Sequence, residues 1–214
     1  IIGGGLAGCE AAWQLAKRDI PVVLWEMKPE KKTPAHHSDL FGELVCSNSL
    51  KASRLDSASG MLKEEMRLLG SLIIPSAEAA AVAAGGALAV DREAFSDRVT
   101  AAIRENPRIH ITEAQVSALP EGPVIVATGP LTSGGLAQEI VRITGEKGLS
   151  FFDAAAPIVD GSTVDRSVVF AASRYGRGED DYLNCPMNKE EYEAFYEALV
   201  SAESVELKDF EKAE

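Results

Sequence analysis

The sequence predicts an α/β fold in which a parallel sheet carries helices on both faces, with a smaller mixed α/β part after about residue 148. Three observations support this prediction. A glycine-rich turn opens a helix near the start of the chain, strand-like and helix-like segments alternate up to residue 148, and a second apolar run ends in Thr128-Gly129. Such alternation is typical of parallel sheets, because the connection between two parallel strands usually contains a helix.

The glycine-rich turn, Gly3-Gly4-Gly5-Leu6-Ala7-Gly8, has the spacing G-x-G-x-x-G of Rossmann-like domains. Its glycines allow a tight turn, close approach to a pyrophosphate and packing of the helix on the strand. The N-terminus of the following helix offers unpaired N–H groups to phosphates. Glu26, at the end of the strand-like run Pro21–Glu26, would accept hydrogen bonds from ribose hydroxyls. The predicted dinucleotide-binding residues here are Gly3, Gly5, Leu6, Ala7, Gly8 and Glu26. The alternative is a helix start that binds nothing.

A second segment favours FAD over NAD as the dinucleotide. The run Pro123–Ala127 reads as a buried strand, and it ends in Thr128-Gly129-Pro130. Small residues at the carboxyl edge of a sheet let the backbone approach a ligand, although an ordinary strand exit explains them equally well. Because flavoproteins with two dinucleotide sites commonly carry both segments, we add Ala127, Thr128 and Gly129 to the predicted FAD site.

The composition of the chain argues against several classes of protein. The 214 residues are 46% hydrophobic, carry a formal net charge of −12 and have a pI of about 4.8. This acidity argues against general nucleic-acid binding, although a local basic patch stays an option. No run approaches the roughly 20 apolar residues of a membrane span. The three cysteines lack metal-ligand or disulfide spacing, so we expect no metal, free thiols and a cytoplasmic protein.

Both ends of the sequence indicate a piece of a longer protein. Only Ile1 and Ile2 precede the glycine turn, where a strand of about five residues is usual, and Glu206–Glu214 is a charged run without a closing element. We assign residues 1–148 to the N-terminal part of an FAD-binding domain. Residues 149–214 are predicted to begin an insertion or substrate domain with mixed α/β structure.

Periodicity and capping residues predict the individual elements. Helices are expected over Leu6–Arg18, over Ser59–Leu69, from Asp91 to Arg104, and after Pro130 with Leu136, Ile140 and Ile143 inward. Further short strands are expected at Ser71–Ile74, Ile109–Ile111, Phe151–Val159 and Ser167–Ala172. Asn188 and Glu191 form a capping box for a last helix. We interpret the apolar stripe of that helix as core: Tyr192, Phe195, Tyr196, Leu199 and Val200.

Cys46 is the candidate catalytic residue. It lies beside Ser47 and Asn48 in a long polar stretch over residues 27–57. A thiol in such a loop can attack a carbon electrophile or donate a proton, and an inert, half-buried thiol is the equally weighted alternative. Cys9, in the first helix, is interpreted as packing, and Cys185 as structural. His36 and His37 either hydrogen-bond a flavin or substrate or are exposed loop residues.

Several of these stretches, in this order, resemble the folate- and FAD-dependent tRNA uracil-5-methyltransferases (the TrmFO family, related to the GidA/MnmG flavoproteins). The more specific matches are Cys-Ser-Asn-Ser within Glu43–Leu50 and the run Gly85–Arg92. The other matching stretches are Gly3–Trp13, Lys32–His37, Leu62–Arg67, Ala127–Ser133, Asp153–Val159 and Tyr182–Met187.

The resemblance implies an FAD enzyme that uses NAD(P)H and takes its carbon from 5,10-methylenetetrahydrofolate. The carbon is transferred to C5 of a T-loop uridine in tRNA, forming 5-methyluridine (ribothymidine), after a cysteine adds to C6. Because the family's second essential cysteine falls beyond Glu214, the role of Cys46 as nucleophile or general acid/base stays open. The alternatives are a GidA/MnmG-type flavoprotein acting on wobble uridine, a generic FAD/NAD(P)H oxidoreductase and a binding-only fragment.

Overall fold

The computed structural model describes residues 1–145, 159–173 and 179–203, and the chain divides into two compact units. Unit 1 comprises Ile1–Val82 with Ala87–Ala155, and unit 2 comprises Ala83–Gly86 with Ala156–Glu214. In chain order, the helices and strands of unit 1 are α1 (Leu6–Ala16), β1 (Val22–Glu26), β2 (Ser49–Ala52), α2 (Ala58–Leu68), α3 (Ile73–Ala79), β3 (Ala81–Val82), β4 (Ala87–Val90), α4 (Arg92–Glu105), β5 (Ile109–Glu113) and α5 (Gly134–Thr144). The predicted helices α1, α2, α4 and α5 and the predicted strands β1 and β5 are confirmed.

The predicted parallel sheet is present in unit 1. Strands β1 and β5 pair in parallel, with Val22 opposite Ile109. Val22 and Leu24 belong to one apolar core together with buried residues of α1 and α4, whereas Val23, on the other face of β1, is 39% exposed. In the part of the chain that is described, this core therefore covers one face of β1 rather than the two faces that were predicted.

The prediction of a buried strand at Pro123–Ala127 is wrong. The segment runs beside Ile2, whose N–H donates to the carbonyl of Ile125, but only Val126 forms a bridge to it. Ile125 is 43% and Val126 38% exposed. The pairing stops after one residue because the glycine turn follows directly, at Gly3. The segment nevertheless stays parallel to β1, because Ile2 also bridges to Trp25.

The predicted strand at Ser71–Ile74 is also wrong, because α3 begins there. A carboxylate from α1 provides the missing cap: Glu10 Oε2 accepts hydrogen bonds from the Ser71 hydroxyl at 2.7 Å and from the Leu72 and Ile73 N–H groups at 3.1 Å each. The apolar residues of this segment favoured a strand. A helix begins here instead, because Glu10, more than 60 positions away, accepts hydrogen bonds from three donors at its start.

The sequence analysis missed an antiparallel sheet with the order β2-β4-β3. Its central strand, β4, is short and rich in small residues, and it buries Leu88, Ala89 and Val90. Asp91 follows immediately and caps α4, where its side chain accepts the Ala94 N–H at 2.9 Å, as predicted. Among the residues predicted to face inward from α5, Leu136 is buried but Ile143 is 56% exposed.

The described part of unit 2 contains a short 3-10 helix (Gly161–Thr163), a β-hairpin and a capped helix. Strands β6 (Phe170–Ala172) and β7 (Tyr182–Asn184) pair antiparallel, so the strand predicted at Ser167–Ala172 is confirmed in its second half. The predicted strand at Phe151–Val159 falls almost entirely outside the described residues. Helix α6 (Lys189–Val200) begins with the predicted capping box between Asn188 and Glu191.

The interpretation of the α6 stripe as core is wrong. All five apolar side chains are about half exposed or more, between 49% and 61%. The helical spacing of apolar residues specifies that they share a face, but it does not specify which element covers that face. Among the described residues, no helix is both long and apolar enough to cross a membrane.

Replacing Glu10 by alanine should destabilise the protein by about 1–3 kcal/mol, because the Leu72 and Ile73 N–H groups lose their acceptor at the start of α3. Urea denaturation of the purified variants measures this change. Glu10→Gln keeps an acceptor oxygen and should lose less stability than Glu10→Ala. Equal midpoints for Glu10→Ala and the parent protein would contradict the capping role.

Candidate functional site

A cavity of about 350 Å³ opens in unit 1 where the glycine turn, the end of β1 and the segment Ala127–Ser133 meet. The structure brings together eight of the nine residues predicted to bind the cofactor. These lining residues are Gly3, Gly5, Leu6, Ala7, Glu26, Ala127, Thr128 and Gly129. The cavity therefore lies at the carboxyl end of β1, which is where ligands bind in open α/β sheets.

Gly8, the ninth residue, does not line the cavity. A Cβ built at Gly8 would overlap the carbonyl oxygen of Gly3, so the glycine lets α1 lie directly on the turn. Gly3 has φ +103, and a Cβ there would come within 2.6 Å of the Ala127 carbonyl oxygen. Both glycines are thus required by close backbone packing, which makes Gly8 a structural rather than a lining residue.

Gly5 has the opposite environment. A Cβ at Gly5 would meet nothing within 4 Å, and the residue lines the cavity. Gly5 is also the N-cap residue of α1, where no side chain caps the first N–H groups. Bare backbone, open space and the positive end of a helix dipole together fit the phosphates of a dinucleotide.

Glu26 connects the glycine turn to β1. Its carboxyl group is buried, with Oε2 accepting the Gly4 N–H at 2.6 Å and Oε1 accepting the Lys28 N–H at 3.0 Å. Each carboxylate oxygen has about two acceptor positions, so one remains on each for a ligand. Glu26 can therefore hold the turn and accept hydrogen bonds from ribose hydroxyls at the same time.

The segment after Ala127 forms a tight turn held by its own hydroxyls. The Thr132 hydroxyl donates to the Gly129 carbonyl at 2.6 Å and lies 2.5 Å from the Thr128 hydroxyl. Gly129 has φ +72, a conformation that glycine adopts without strain. This turn presents small residues to the cavity, as the sequence predicted.

The long polar stretch after β1 is anchored rather than loose. Phe41 is fully buried, its N–H donates to the Thr100 hydroxyl at 2.8 Å, and the Arg104 guanidinium lies 5.5 Å from its ring centre. The Gly42 N–H donates to the Gly4 carbonyl at 2.9 Å. The stretch is thereby fixed to α4 and to the glycine turn, which brings Glu43 to the cavity wall.

Lys28, His36 and Glu43 are cavity residues that were not among the predicted cofactor-binding set. Lys28 is 5% exposed, donates to the Leu40 carbonyl and lies 3.6 Å from Glu43 Oε2. Glu43 Oε1 accepts the N–H groups of His37 and Ser38 at 2.8 and 3.0 Å. Phe41 and Leu44, two of the apolar residues in this mostly polar stretch, were the available signal that the loop packs on the core.

Cys46 follows Val45, which lines the cavity, but is not itself a lining residue. Its side chain is half-buried, and Asn48, two residues on, donates to the Val90 carbonyl at 3.0 Å. The thiol thus lies on a segment that is held between the cavity wall and β4. Its catalytic role stays a prediction.

The other two cysteines have contrasting environments. Cys9 is buried, its Sγ donates to the Gly4 carbonyl at 3.2 Å, and burial raises the pKa of the thiol to about 12. The packing role predicted for Cys9 is confirmed. Cys185 in unit 2 is exposed, so its interpretation as a structural residue is wrong. Among the described residues, no cluster of three or more His, Cys, Asp or Glu side chains could hold a metal ion.

Comparison with known proteins adds independent information. A family model described as glucose inhibited division protein A matches residues 1–214. A curated relative from Lacticaseibacillus paracasei, named methylenetetrahydrofolate--tRNA-(uracil-5-)-methyltransferase TrmFO, is 60% identical over 212 residues, which cover 99% of this chain and 48% of the relative. A relative of the same name from Acetivibrio thermocellus is 60% identical over 213 residues, covering 99% and 49%. The chain therefore spans about half the length of the curated relatives it matches.

A solved structure, that of Aquifex aeolicus GidA, is also similar. It is 16% identical, with a TM-score of 0.45, and the match covers 56% of this chain and 20% of that chain.

Substituting alanine at Gly5 and at Gly8 should separate ligand binding from folding. Gly8→Ala should lower stability by about 1–3 kcal/mol, because the added methyl overlaps the Gly3 carbonyl. Gly5→Ala should leave the melting temperature unchanged, since its methyl meets open space, yet weaken FAD binding about tenfold by blocking close approach of the phosphates. Thermal unfolding and flavin fluorescence titration measure the two effects. Undiminished FAD affinity in Gly5→Ala would contradict the placement of the phosphates.

Proposed function

Because the chain belongs to the glucose inhibited division protein A family, we propose that it supplies the FAD-binding part of a tRNA (uracil-5-)-methyltransferase that uses 5,10-methylenetetrahydrofolate. The observation that carries this proposal is the 60% identity, over 99% of the chain, to a protein with that methyltransferase name. The product would be 5-methyluridine in the T loop of tRNA, and the enzyme would act in the cytoplasm.

The proposed domain assignment follows the cavity. Residues 1–148 would form the N-terminal part of the Rossmann-like FAD-binding domain, since every residue that lines the cavity lies before residue 137. Residues 149–214 would begin an insertion domain of mixed α/β structure that contacts substrate. The hairpin and helix of the described part of unit 2 are compatible with this assignment.

The cavity residues fit FAD by their donor and acceptor types. The start of α1, with the bare backbone of Gly5, would hold the pyrophosphate, and Glu26 would accept the hydroxyls of the adenosine ribose. The turn containing Thr128 would lie against the ligand on the opposite wall. When bound and reduced by NAD(P)H, the flavin would supply the electrons that convert the folate-carried carbon to a methyl group.

Cys46 would act on the uridine. As a nucleophile, its thiolate would bond to C6 of the uracil, shifting the electron pair of the C5–C6 bond toward C5, which then attacks the carbon donor. After transfer, loss of the C5 proton to a base would re-form the double bond and expel the thiolate. As a general acid/base, Cys46 would instead carry a proton to or from the ring. The resemblance to TrmFO enzymes supports either role.

A GidA/MnmG-type activity on wobble uridine is the second candidate, favoured by the description of the matching family model. A plain FAD/NAD(P)H oxidoreductase is the third, and it would need neither tRNA nor folate. The three candidates share the same cavity. The first two differ in the uridine that would receive a folate-derived carbon, and the third would place no such carbon in RNA.

Incubation of the full-length protein with unmodified tRNA, NAD(P)H and methylene-labelled tetrahydrofolate, without S-adenosylmethionine, tests the proposal. We expect label in 5-methyluridine of the T loop. Label at the wobble position would move the assignment to the second candidate. Oxidation of NAD(P)H without label in RNA would leave the third and contradict the proposed function.

Cys46→Ala in the full-length protein should abolish methyl transfer, because covalent or proton-transfer chemistry at the uracil loses its thiol, while FAD stays bound. Labelled 5-methyluridine and the flavin absorption spectrum measure the two effects. Cys185→Ala, at an exposed thiol, is the matched control and should keep full activity. Normal ribothymidine formation by Cys46→Ala would remove Cys46 from the catalytic assignment.

A further inference from the structure

His36 lines the cavity, and one nitrogen of its ring contacts a protein side chain. Its Nδ1 lies 2.6 Å from the Thr33 hydroxyl, and its backbone N–H donates to the Thr33 carbonyl at 3.2 Å. Within the described residues, the other ring nitrogen, Nε2, has no hydrogen-bonding protein partner. The imidazole is therefore oriented by the protein while one nitrogen remains for a ligand in the cavity.

The Thr33 hydroxyl can act as the donor in its contact with His36 Nδ1. Its oxygen accepts the Ala35 N–H at 3.3 Å, and its hydrogen can be donated to the ring nitrogen 2.6 Å away. Donation from Thr33 to Nδ1 leaves the proton of a neutral imidazole on Nε2. His36 would then present an N–H donor to the cavity.

Burial of the ring, more than the charges near it, sets the pKa of His36. The charges of Glu43 and Glu26 raise the pKa of the imidazole, whereas those of Lys28 and His37 lower it. Burial is the largest influence and lowers the pKa of His36 from its ordinary value of 6.5. A neutral donor is thus the form expected at pH 7.

The backbone around His36 is fixed to the glycine turn. Glu43 accepts the N–H groups of His37 and Ser38, and the neighbouring Gly42 donates to the Gly4 carbonyl at 2.9 Å. Lys28, in turn, holds this carboxylate by charge at 3.6 Å. The loop that carries His36 is therefore tied to the glycine turn, and both line the same cavity.

We propose that His36 donates a hydrogen bond from Nε2 to an oxygen of the dinucleotide's pyrophosphate, an inference that rests on the FAD site proposed above. His36 is thus a specificity residue for a diphosphate ligand, with Thr33 as its positioning residue. The bond supplements the backbone N–H groups of α1 with one side-chain donor from the opposite loop.

Titrations of FAD and of ADP into the cofactor-free full-length protein test this role, since both ligands carry the pyrophosphate. His36→Ala should weaken both by about tenfold to a hundredfold, the loss typical of a hydrogen bond to a charged group. His36→Gln places an amide N–H near the position of Nε2 and should recover part of the loss. His37→Ala is the matched control, because the hydrogen bonds of His37 come from its backbone N–H and carbonyl, and both affinities should stay unchanged.

Unchanged FAD and ADP affinities in His36→Ala, with FAD bound normally by the parent protein, would overturn the role of His36 and leave the proposed function standing. A loss confined to FAD would overturn the pyrophosphate contact. Failure of the parent protein to bind FAD would instead overturn the proposed function itself.

Nitrogen-15 spectra of histidine-labelled protein provide a second readout that does not depend on activity. We expect His36 as the neutral tautomer protonated at Nε2, with a shift of that signal when ADP is added. Thr33→Val should lose the tautomer preference and weaken ADP binding. A proton on Nδ1 in the parent protein would overturn the inference even if an alanine variant failed to fold.

Discussion

Backbone packs against backbone at the glycine turn, and the remainder of unit 1 is arranged around that contact. A Cβ at Gly8 would overlap the Gly3 carbonyl oxygen, and a Cβ at Gly3 would come within 2.6 Å of the Ala127 carbonyl oxygen. Three chain segments thus meet without intervening side chains. Glycines in this turn therefore have two effects. They let α1 pack closely on the sheet, and at Gly5 they leave backbone N–H groups open to the cavity, because no side chain fills the space there.

Hydrogen bonds then extend outward from this turn. Gly4 donates to the Glu26 carboxylate and accepts from the Gly42 N–H, so the end of β1 and the long loop are tied to the same residue. Burial of Phe41 adds about 2 kcal/mol of apolar stabilisation to the loop. In the buried pair of Lys28 and Glu43, hydrogen bonds to loop backbone offset part of the desolvation, whereas Glu43 Oε2 accepts none and faces the Lys28 charge at 3.6 Å. These bonds fix both side chains at the cavity.

Much of the candidate site was predictable because its signals are local. The spacing of glycines around Leu6, the acid that ends β1 and the small-residue turn at Thr128 all depend on neighbours a few positions apart. The sequence pointed to His36 and His37 together, and it could not tell which of the two faces a ligand. Only the ring contact to Thr33 and the lining of the cavity separate the two.

The sequence by itself determined the elements whose hydrogen bonds join residues only a few positions apart. These elements are the glycine turn, the caps at Asp91 and Asn188, and the helices that follow the caps. Tertiary structure alone decided α3, where the cap comes from Glu10, and it also decided the antiparallel sheet and the cluster around Glu43. It likewise decided that the stripe of α6 is exposed. The physical reason is the distance along the chain over which each interaction acts. Local propensity and periodicity depend on residues a few positions apart, whereas the start of α3 is stabilised by an acceptor 62 positions away.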